Sequence, residues 1–205
     1  IGGRGLNPNR TSNFNTRQNG YDISADALGY PESYYTPPSE AVKEIQLIRG
    51  AASLQFGTQF GGLLNFKLHD GPVDKDFELV YRHTFGSFKL NNTFISAGIK
   101  DGVWKSYGYF QLKKGTEWRP NSGFEVYSGA INITNYLSEK ASVNVQYTKM
   151  YYLAQQPGGI TDKEFYEDPL ISKRERNWFE VDWNLFAASF DYEFNARTKL
   201  KSQFF

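Results

Sequence analysis

Residues 141–151 read ASVNVQYTKMY, and this stretch shows the pattern on which the fold prediction rests. Apolar or aromatic side chains alternate here with Ser142, Asn144, Gln146 and Thr148. A period of two residues with one polar face is typical of a β-strand that is covered on one side. The same alternation recurs in other segments, so the sequence predicts seven strands. They span about 75–86, 89–100, 103–114, 123–136, 140–153, 177–194 and 197–205.

The lengths of the strands and of their connections separate two kinds of β-protein. Several strands exceed the roughly 5–6 residues usual in soluble sheets and match the roughly 9–11 residues of a membrane-crossing strand. Short connections follow the second, fourth and sixth strands, whereas long connections follow the third and fifth. Transmembrane barrels alternate short periplasmic turns with longer outer loops in this way. The short connection at Gly86-Ser87 departs from the rule, and a soluble β-sandwich remains the alternative.

The sixth predicted strand changes phase along its length. Apolar residues occupy odd positions up to Ala187 and even positions from Phe190 onward. A shift of one residue moves the apolar set to the other face of a sheet. One extra residue in the strand would produce such a shift, so the sequence predicts a β-bulge near Ala188.

Bulk composition excludes several classes of protein. The chain has 23 Lys plus Arg and 22 Asp plus Glu, so no excess charge indicates a nucleic-acid partner. It has no cysteine, which excludes a disulfide scaffold and a thiolate metal site. Mean hydropathy is −0.57 although 17% of residues are aromatic. A transmembrane barrel reconciles these values, because half of each strand is polar and aromatic girdles mark the two interfaces.

The first 70 residues follow a different pattern from the rest. They are irregular and contain four of the eight prolines, and the long alternating segments begin only after Asp70-Gly71-Pro72. The sequence therefore predicts two domains, over residues 1–70 and 71–205. Because the alternation is still running at the last residue, we expect the chain to be a piece of a longer protein.

Three stretches resemble the TonB-dependent outer-membrane receptors, of the ferric-citrate-transporter type. They are GGRGLNPNR (2–10), LGYPESYYTPPSEAVKEIQLIRGAASLQFGTQFGGLLNF (28–66) and RERNWFEVDW (174–183). The resemblance implies a mainly antiparallel β fold: the C-terminal part of a plug domain, followed by about seven strands of a large transmembrane barrel. In this family the plug fills a barrel of about 22 strands.

The resemblance also implies a function. We expect TonB-dependent transport of a ferric chelate, such as ferric citrate or a siderophore, across the outer membrane of a Gram-negative bacterium into the periplasm. The implied partners are TonB, the ferric chelate and outer-membrane lipid, with no nucleic acid and no cofactor. Uptake of haem, cobalamin or a glycan is the alternative, followed by a soluble carbohydrate-binding sandwich.

Several site residues come from the same resemblance. Arg4 and Arg49 stand where the family has plug arginines that pair with barrel glutamates. We expect those glutamates to lie on later strands, outside this chain. Loops around 17–21 and 28–35 are expected to face outward and contact the ligand. There Arg10 and Arg17 would bind anionic groups and Tyr30 and Tyr34 would form aromatic walls, or the tyrosines would only pack the plug.

Arg174 and the two histidines are further residues with possible binding or metal-ligating roles. Arg174 belongs to a basic cluster in the long connection and is a second ligand candidate, with a solvated surface as the alternative. The two histidines, His69 and His83, are too few and too far apart for a convincing metal site. No nucleophile motif occurs, and His83 is expected on the lipid face, so the sequence favours a transporter over an enzyme barrel such as a lipase.

Overall fold

The computed structural model describes residues 15–24, 34–49, 62–116 and 118–205. These residues form eleven β-strands, one α-helix and one short 3₁₀ helix. The strands are β1 (Asn15–Gln18), β2 (Tyr21–Asp22), β3 (Val42–Ile48), β4 (Leu63–Leu68), β5 (Phe77–Gly86), β6 (Leu90–Asp101), β7 (Trp104–Gly115), β8 (Phe124–Ser138), β9 (Ala141–Gln155), β10 (Trp178–Asn195) and β11 (Thr198–Phe204). The helices are α1 (Asp162–Glu167) and the 3₁₀ turn (Ser39–Ala41).

The strands make two sheets. The small sheet has the order β2-β1-β4-β3, with β1 parallel to β4 and the other pairs antiparallel. The wall has the order β11-β10-β9-β8-β7-β6-β5, and every neighbouring pair is antiparallel. This order follows from hairpin connections between successive strands. All seven predicted strands are found in the wall, and no predicted end differs from the observed one by more than two residues.

The wall has two edges, which we name by their connections. Short turns join β6 to β7, β8 to β9 and β10 to β11 at the turn edge, where β5 also begins. The long connections between β7 and β8 and between β9 and β10 lie at the opposite, loop edge. Helix α1 lies within the second of these, residues 156–177. The predicted alternation of short and long connections is therefore present, with the short turn between β5 and β6 as the exception.

The small sheet covers the inner face of the wall. Two buried clusters join them. The first contains Tyr21, Ile23, Tyr35, Leu64, Phe66, Met150 and Ala187, and the second contains Ala41, Leu68, Phe94, Tyr107 and Tyr109. Full burial of one large apolar side chain contributes roughly 1.5–3 kcal/mol, so these clusters fix the small sheet against β6 to β10.

The outer face of the wall carries exposed apolar side chains. Phe110 is 49% exposed and Phe186 is 50% exposed. They belong to a band that also contains Leu79, Ile95, Ile131 and Val145. A contiguous exposed apolar surface marks contact with a membrane or another protein. Within the described parts of the chain, no helix is long and apolar enough to cross a bilayer.

The β-bulge predicted near Ala188 is wrong. Strand β10 pairs with β9 without interruption from Trp178 to Tyr192. The observed irregularity lies between Glu193 and Asn195, beside the turn to β11. The sequence pattern has another cause: one regular strand changes which of its two faces is apolar. Toward the loop edge, Trp183 and Leu185 pack inward against the first buried cluster. From Phe186 to Phe194, toward the turn edge, the large apolar side chains are on the outer face.

Candidate functional site at the inner face of the wall

A buried hydrogen-bond network joins the small sheet to the wall. The Tyr35 hydroxyl donates to Gln18 Oε1 at 2.9 Å and lies 3.1 Å from the Tyr109 hydroxyl. The Gln18 amide donates to Thr148 Oγ1 at 3.0 Å. Gln18 and Tyr35 are fully buried and Thr148 is 1% exposed. Because unpaired buried polar groups are costly, this network holds the two sheets in one arrangement.

The network is neutral over the physiological pH range. Tyr21 also belongs to the network, because its hydroxyl accepts from the Gln18 amide. Burial raises the pKa of Tyr21 to about 12, and it raises the pKa of Tyr35 well above the ordinary tyrosine value. Both hydroxyl groups therefore stay protonated at neutral pH. Since no member carries a charge there, the attachment of the small sheet through this network should respond little to salt.

A polar cavity of about 380 Å³ lies between the small sheet and the wall toward the turn edge. The turn between β1 and β2 contributes Asn19, whose amide donates to Gln146 Oε1 at 2.7 Å. Asn144 continues this row of amides: it accepts from Gln146 at 2.6 Å and donates to Thr134 Oγ1 at 2.8 Å. The cavity is also lined by Lys43, Lys67, Asp70, Asp191, Lys201 and Gln203. Such a lining accommodates a hydrophilic solute or water.

Residues 69–76, here called the strap, connect β4 to β5 and lie close against β6 and β7. The Asp70 carboxylate is 2.7 Å from Lys105 Nζ, and only 11% of the Lys105 side chain is exposed. Gly71 has φ +109°, and a Cβ there would lie 2.6 Å from the carbonyl oxygen of Ser106. A Cβ at Gly98 would lie 2.8 Å from the ring of Pro72. The strap therefore fits the wall with backbone-to-backbone closeness that only glycine permits.

An aromatic group, here called the aromatic shelf, lies near the loop edge of the inner face. The ring of Tyr34 is 5.6 Å from that of Phe179 and 6.3 Å from that of Trp183. Tyr152 approaches Phe179 at 6.2 Å. Tyr34 is 37% exposed, so the shelf combines packing between the sheets with an aromatic surface open to solvent.

The two long connections are tied together at the loop edge. The side-chain amide of Asn121 donates to the carbonyl oxygens of Arg174 at 2.5 Å and Asn177 at 2.9 Å. Arg119 donates to the carbonyl oxygen of Gly158 at 2.6 Å. Asn121 has φ 59°, a left-handed conformation that asparagine tolerates better than most residues. Residues 118–123 thus hold the long connection 156–177 in place.

Helix α1 gives the long connection internal order. Thr161 and Glu164 form a capping box at the start of the helix. The Lys173 ammonium lies 2.5 Å from Glu164. This hydrogen bond, together with those from Thr161, lowers the pKa of Glu164 to about 2. The carboxylate is therefore charged at neutral pH and links the helix to the basic cluster.

The structure places Arg174 and Tyr34 toward the loop edge. Arg174 is exposed, and its side chain lies over Gly158, where a Cβ would be 2.8 Å from Arg174 Cγ. Gly158 has φ +82°, so the glycine accepts both the backbone conformation and the contact. These two predicted ligand residues therefore share one end of the wall.

Arg17 lies elsewhere. Strand β1 runs parallel to β4, which leads to the strap and the turn edge, so the Asn19-Gly20 turn also points toward the turn edge. This position does not favour the expectation that residues 17–21 form an outward loop, which stays a prediction. The Arg17 guanidinium donates to Asn15 at 2.7 Å and to the Gly20 carbonyl at 2.7 Å, within its own hairpin.

The remaining predicted residues divide into two groups. Arg49 follows β3 and is exposed, and none of the ion pairs among the described residues involves it. Its pairing with a glutamate of a later strand remains a prediction. Arg4, Arg10 and Tyr30 lie outside the described residues.

Sequence reasoning missed the residues that join elements. Gln18 and Thr148 are 130 positions apart, and alternation identifies the inner face without saying which residues meet the small sheet. Arg119 and Asn121 had no recognisable signal, because their acceptors are backbone carbonyls of another connection. The Asp70–Lys105 pair could not be predicted from the sequence, because it depends on how the strap packs against β7.

Comparison with known proteins identifies the fold. No protein-family model matches the chain, and no curated protein matches it. Among solved structures, the unliganded ferric citrate transporter FecA matches with TM-score 0.79 and 21% identity over 98% of this chain and 32% of its own. The FrpB iron transporter from Neisseria meningitidis matches with TM-score 0.62 and 13% identity, covering 80% of this chain and 28% of its own. The ferric enterobactin receptor PfeA from Pseudomonas aeruginosa matches with TM-score 0.60 and 13% identity, covering 90% and 31%.

These likenesses establish the fold at identities too low to establish the ligand. The three proteins are TonB-dependent outer-membrane receptors, and they are transporters or receptors rather than enzymes. The resemblance seen in the sequence is confirmed for the fold, as is the prediction of mainly antiparallel β structure. The chain spans about a third of the length of each of these proteins.

Proposed function

We propose that the chain is part of a TonB-dependent outer-membrane receptor that transports a ferric chelate into the periplasm of a Gram-negative bacterium. One observation carries the proposal. The small sheet covers the inner face of a wall whose outer face is an exposed apolar band. A transporter of this class needs a stopper on the wet side of a wall that meets lipid on the other side.

The arrangement disfavours a soluble sandwich. A sandwich packs the apolar faces of two sheets against each other and leaves the polar faces in water. Here Leu79, Phe110 and Ile131 remain exposed on the outer face, while the small sheet covers Gln111, Ser128 and Thr148 on the other. The exposed band is therefore assigned to outer-membrane lipid as its partner.

The attachment of the small sheet suits a stopper that has to move. The outer membrane has no ion gradient of its own, so the energy for movement would come through TonB. A neutral hydrogen bond contributes roughly 0.5–1.5 kcal/mol net, so the described network holds the small sheet firmly without making displacement prohibitive. Arg4 and Arg49 are proposed to add ion pairs with later strands, which become expensive to break once desolvated.

The ligand is proposed to bind at the loop edge. Tyr34 and the aromatic shelf supply an apolar surface, and Arg174 supplies a guanidinium that suits carboxylate or phenolate oxygens of a chelate. Tyr30 and Arg10 are proposed as further members from outside the described residues. Arg17 is a weaker candidate, because two of its nitrogens donate within its own hairpin.

A second candidate ligand is a flat aromatic nutrient such as haem. The observation that favours it is the composition of the shelf, in which Tyr34, Phe179 and Trp183 meet within 6.3 Å. Stacking on aromatic rings favours planar ligands over compact carboxylate chelates. Cobalamin and glycans remain further alternatives without a specific observation in their favour.

The test is uptake by the full-length receptor in cells with and without TonB. Labelled ferric citrate, a ferric catecholate and haem are supplied separately, with and without an uncoupler of the proton gradient. We expect one of them to enter only when the receptor, TonB and the gradient are all present. Unchanged uptake of every ligand after deletion of the receptor would contradict the proposal.

A further inference from the structure

We infer that, in the described part of the wall, the ligand leaves the binding site along the β8–β11 flank, and that the β1–β2 hairpin is the gate on that path. The inference rests on the proposed transport function. It concerns the route, which the proposed function leaves open.

The first support is the polar cavity. Its volume of about 380 Å³ is within the roughly 300–1,000 Å³ range of small-molecule sites. It lies between the small sheet and β8 to β11, at the turn edge where a transported solute must emerge. Its wall side presents amides and hydroxyls of Asn132, Asn144, Gln146 and Ser189. Such groups can exchange hydrogen bonds with a passing hydrophilic solute at little net cost.

The second support is the way the hairpin is held. Gln18 and Asn19 bond to Thr148 and Gln146 of β9 through neutral side chains. Asn19 also accepts from the backbone N–H of Leu68 at 3.0 Å, so its side chain connects three elements. Moving the Asn19-Gly20 turn of this hairpin away from β9 breaks hydrogen bonds that water can replace, while Tyr21 and Ile23 stay in the first buried cluster. This movement separates no ion pair between the hairpin and β9 among the described residues.

The third support is the contrast with the β5–β7 flank. There the strap lies close against β6 and β7. Gly71 and Pro72 contact the wall so closely that a Cβ at Gly71 or Gly98 would clash, and the Asp70–Lys105 ion pair borders the polar cavity on this side. Lys105 is nearly buried, so breaking this pair leaves a charge with poor solvation. A solute would therefore meet the lower barrier on the β8–β11 flank.

The experiment uses two reversible crosslinks in the full-length receptor. Asn19→Cys with Gln146→Cys joins the hairpin to β9, and Val73→Cys with Lys100→Cys joins the strap to β6 at residues that do not line the cavity. The native pairs are in contact at 2.7 Å and 2.8 Å, so one short thiol-reactive linker with an internal disulfide suits both. This chain has no native cysteine that would compete for the linker.

The hairpin crosslink is expected to abolish uptake while ligand binding to cells persists, and reductant should restore uptake. The strap crosslink is expected to leave uptake unchanged. Full uptake with the hairpin crosslinked, or equal loss with the strap crosslinked, would overturn the inference. If the unlinked variants take up no ligand although wild type does, the substitutions are at fault. If wild type takes up none, the proposed function fails instead.

A second measurement avoids substitutions of paired residues. Single cysteines are introduced by Ser142→Cys in β9 and Ser96→Cys in β6. Ser142 lines the cavity, and Ser96 is buried on the inner face of the wall. During energised transport, labelling by a hydrophilic maleimide is expected to accelerate at position 142 and to stay constant at position 96. The reverse order of acceleration would place the route on the β5–β7 flank.

Discussion

The two halves of β10 differ in which face is apolar, although the strand is regular throughout. Toward the turn edge, Phe190 and Phe194 are on the outer face, and Ser189 and Asp191 line the inner cavity. Toward the loop edge, Trp183 and Leu185 pack inward. There the outer face is polar: Glu180 accepts from Tyr151 at 3.0 Å, Asn184 accepts from Tyr147 at 2.8 Å, and Asp182 pairs with Lys149.

The difference between the two halves indicates the surroundings of the wall at the turn edge and at the loop edge. The apolar outer half fits a hydrocarbon environment, because charged groups there would lose hydration. The polar outer half, with its hydrogen-bonded carboxylates, fits water or lipid headgroups. In the proposed receptor, the wall would therefore project beyond the hydrocarbon layer at the loop edge. Its apolar inner side there packs against the small sheet and borders the proposed ligand site.

The largest expected effect comes from a charge on the apolar outer half. If the proposed function holds, Phe190→Lys should destabilise the folded protein in lipid by about 2–4 kcal/mol, the cost of lysine at the lipid face near mid-bilayer. The matched change Asn184→Lys, on the same face of the other half, should cost less than about 0.5 kcal/mol. Urea unfolding in lipid vesicles measures both. Equal costs would refute the division of β10 into two halves.

Alkaline pH tests how strongly the small sheet is held against the apolar inner face of β10. The folded-state pKa of Tyr21 is about 12 and its ordinary value is 10.0, so the raised pKa contributes stability that is fully present below pH 10 and lost as pH rises to about 12. The contribution is on the order of 2–3 kcal/mol for this buried side chain. Absorbance at 295 nm and unfolding at successive pH values report it. Tyr21→Phe should remove this part of the pH dependence.

Removal of one hydroxyl should loosen the same contact by a smaller amount. Tyr35→Phe removes the hydroxyl that donates to Gln18 Oε1 and leaves the Tyr109 hydroxyl with Ser128 as its partner, so it should cost about 1–3 kcal/mol. Calorimetry of the receptor measures the loss. Tyr147→Phe, which removes an exposed hydroxyl from the polar outer half, is the control and should change stability little. If the two variants lose the same amount, the inner network has no special role.

The loop edge should respond locally to loss of its tie. Asn121→Gly keeps the left-handed backbone and removes the side-chain amide that donates to three backbone carbonyls, so the cost should be about 1–2 kcal/mol. Hydrogen exchange should accelerate in residues 156–177 and remain unchanged in β9 below the loop edge. Uniform acceleration through β9 and β10 would mean that the tie stabilises the wall itself.

The smallest effect is expected for helix α1. Its capping carboxylate has a pKa of about 2 in place of 4.5, so its contribution is present above pH 4.5 and lost as pH falls toward 2. Glu164→Gln should abolish this acid dependence in hydrogen exchange of residues 161–168. Glu139→Gln, in the exposed turn between β8 and β9, serves as the control that leaves the acid dependence intact.

The sequence alone determined the strands of the wall, their lengths and the alternation of short turns with long connections. It could do so because strand pleating sends neighbouring side chains to opposite faces, a local rule that a period of two reveals. Only the tertiary structure decided that the change of phase at Ala188 was a change of surroundings and not a bulge. It also decided that the Asn19-Gly20 turn points toward the turn edge and that Gln18 meets Thr148 across 130 positions. Those facts depend on how one sheet is seated on another, and no local periodicity records that placement.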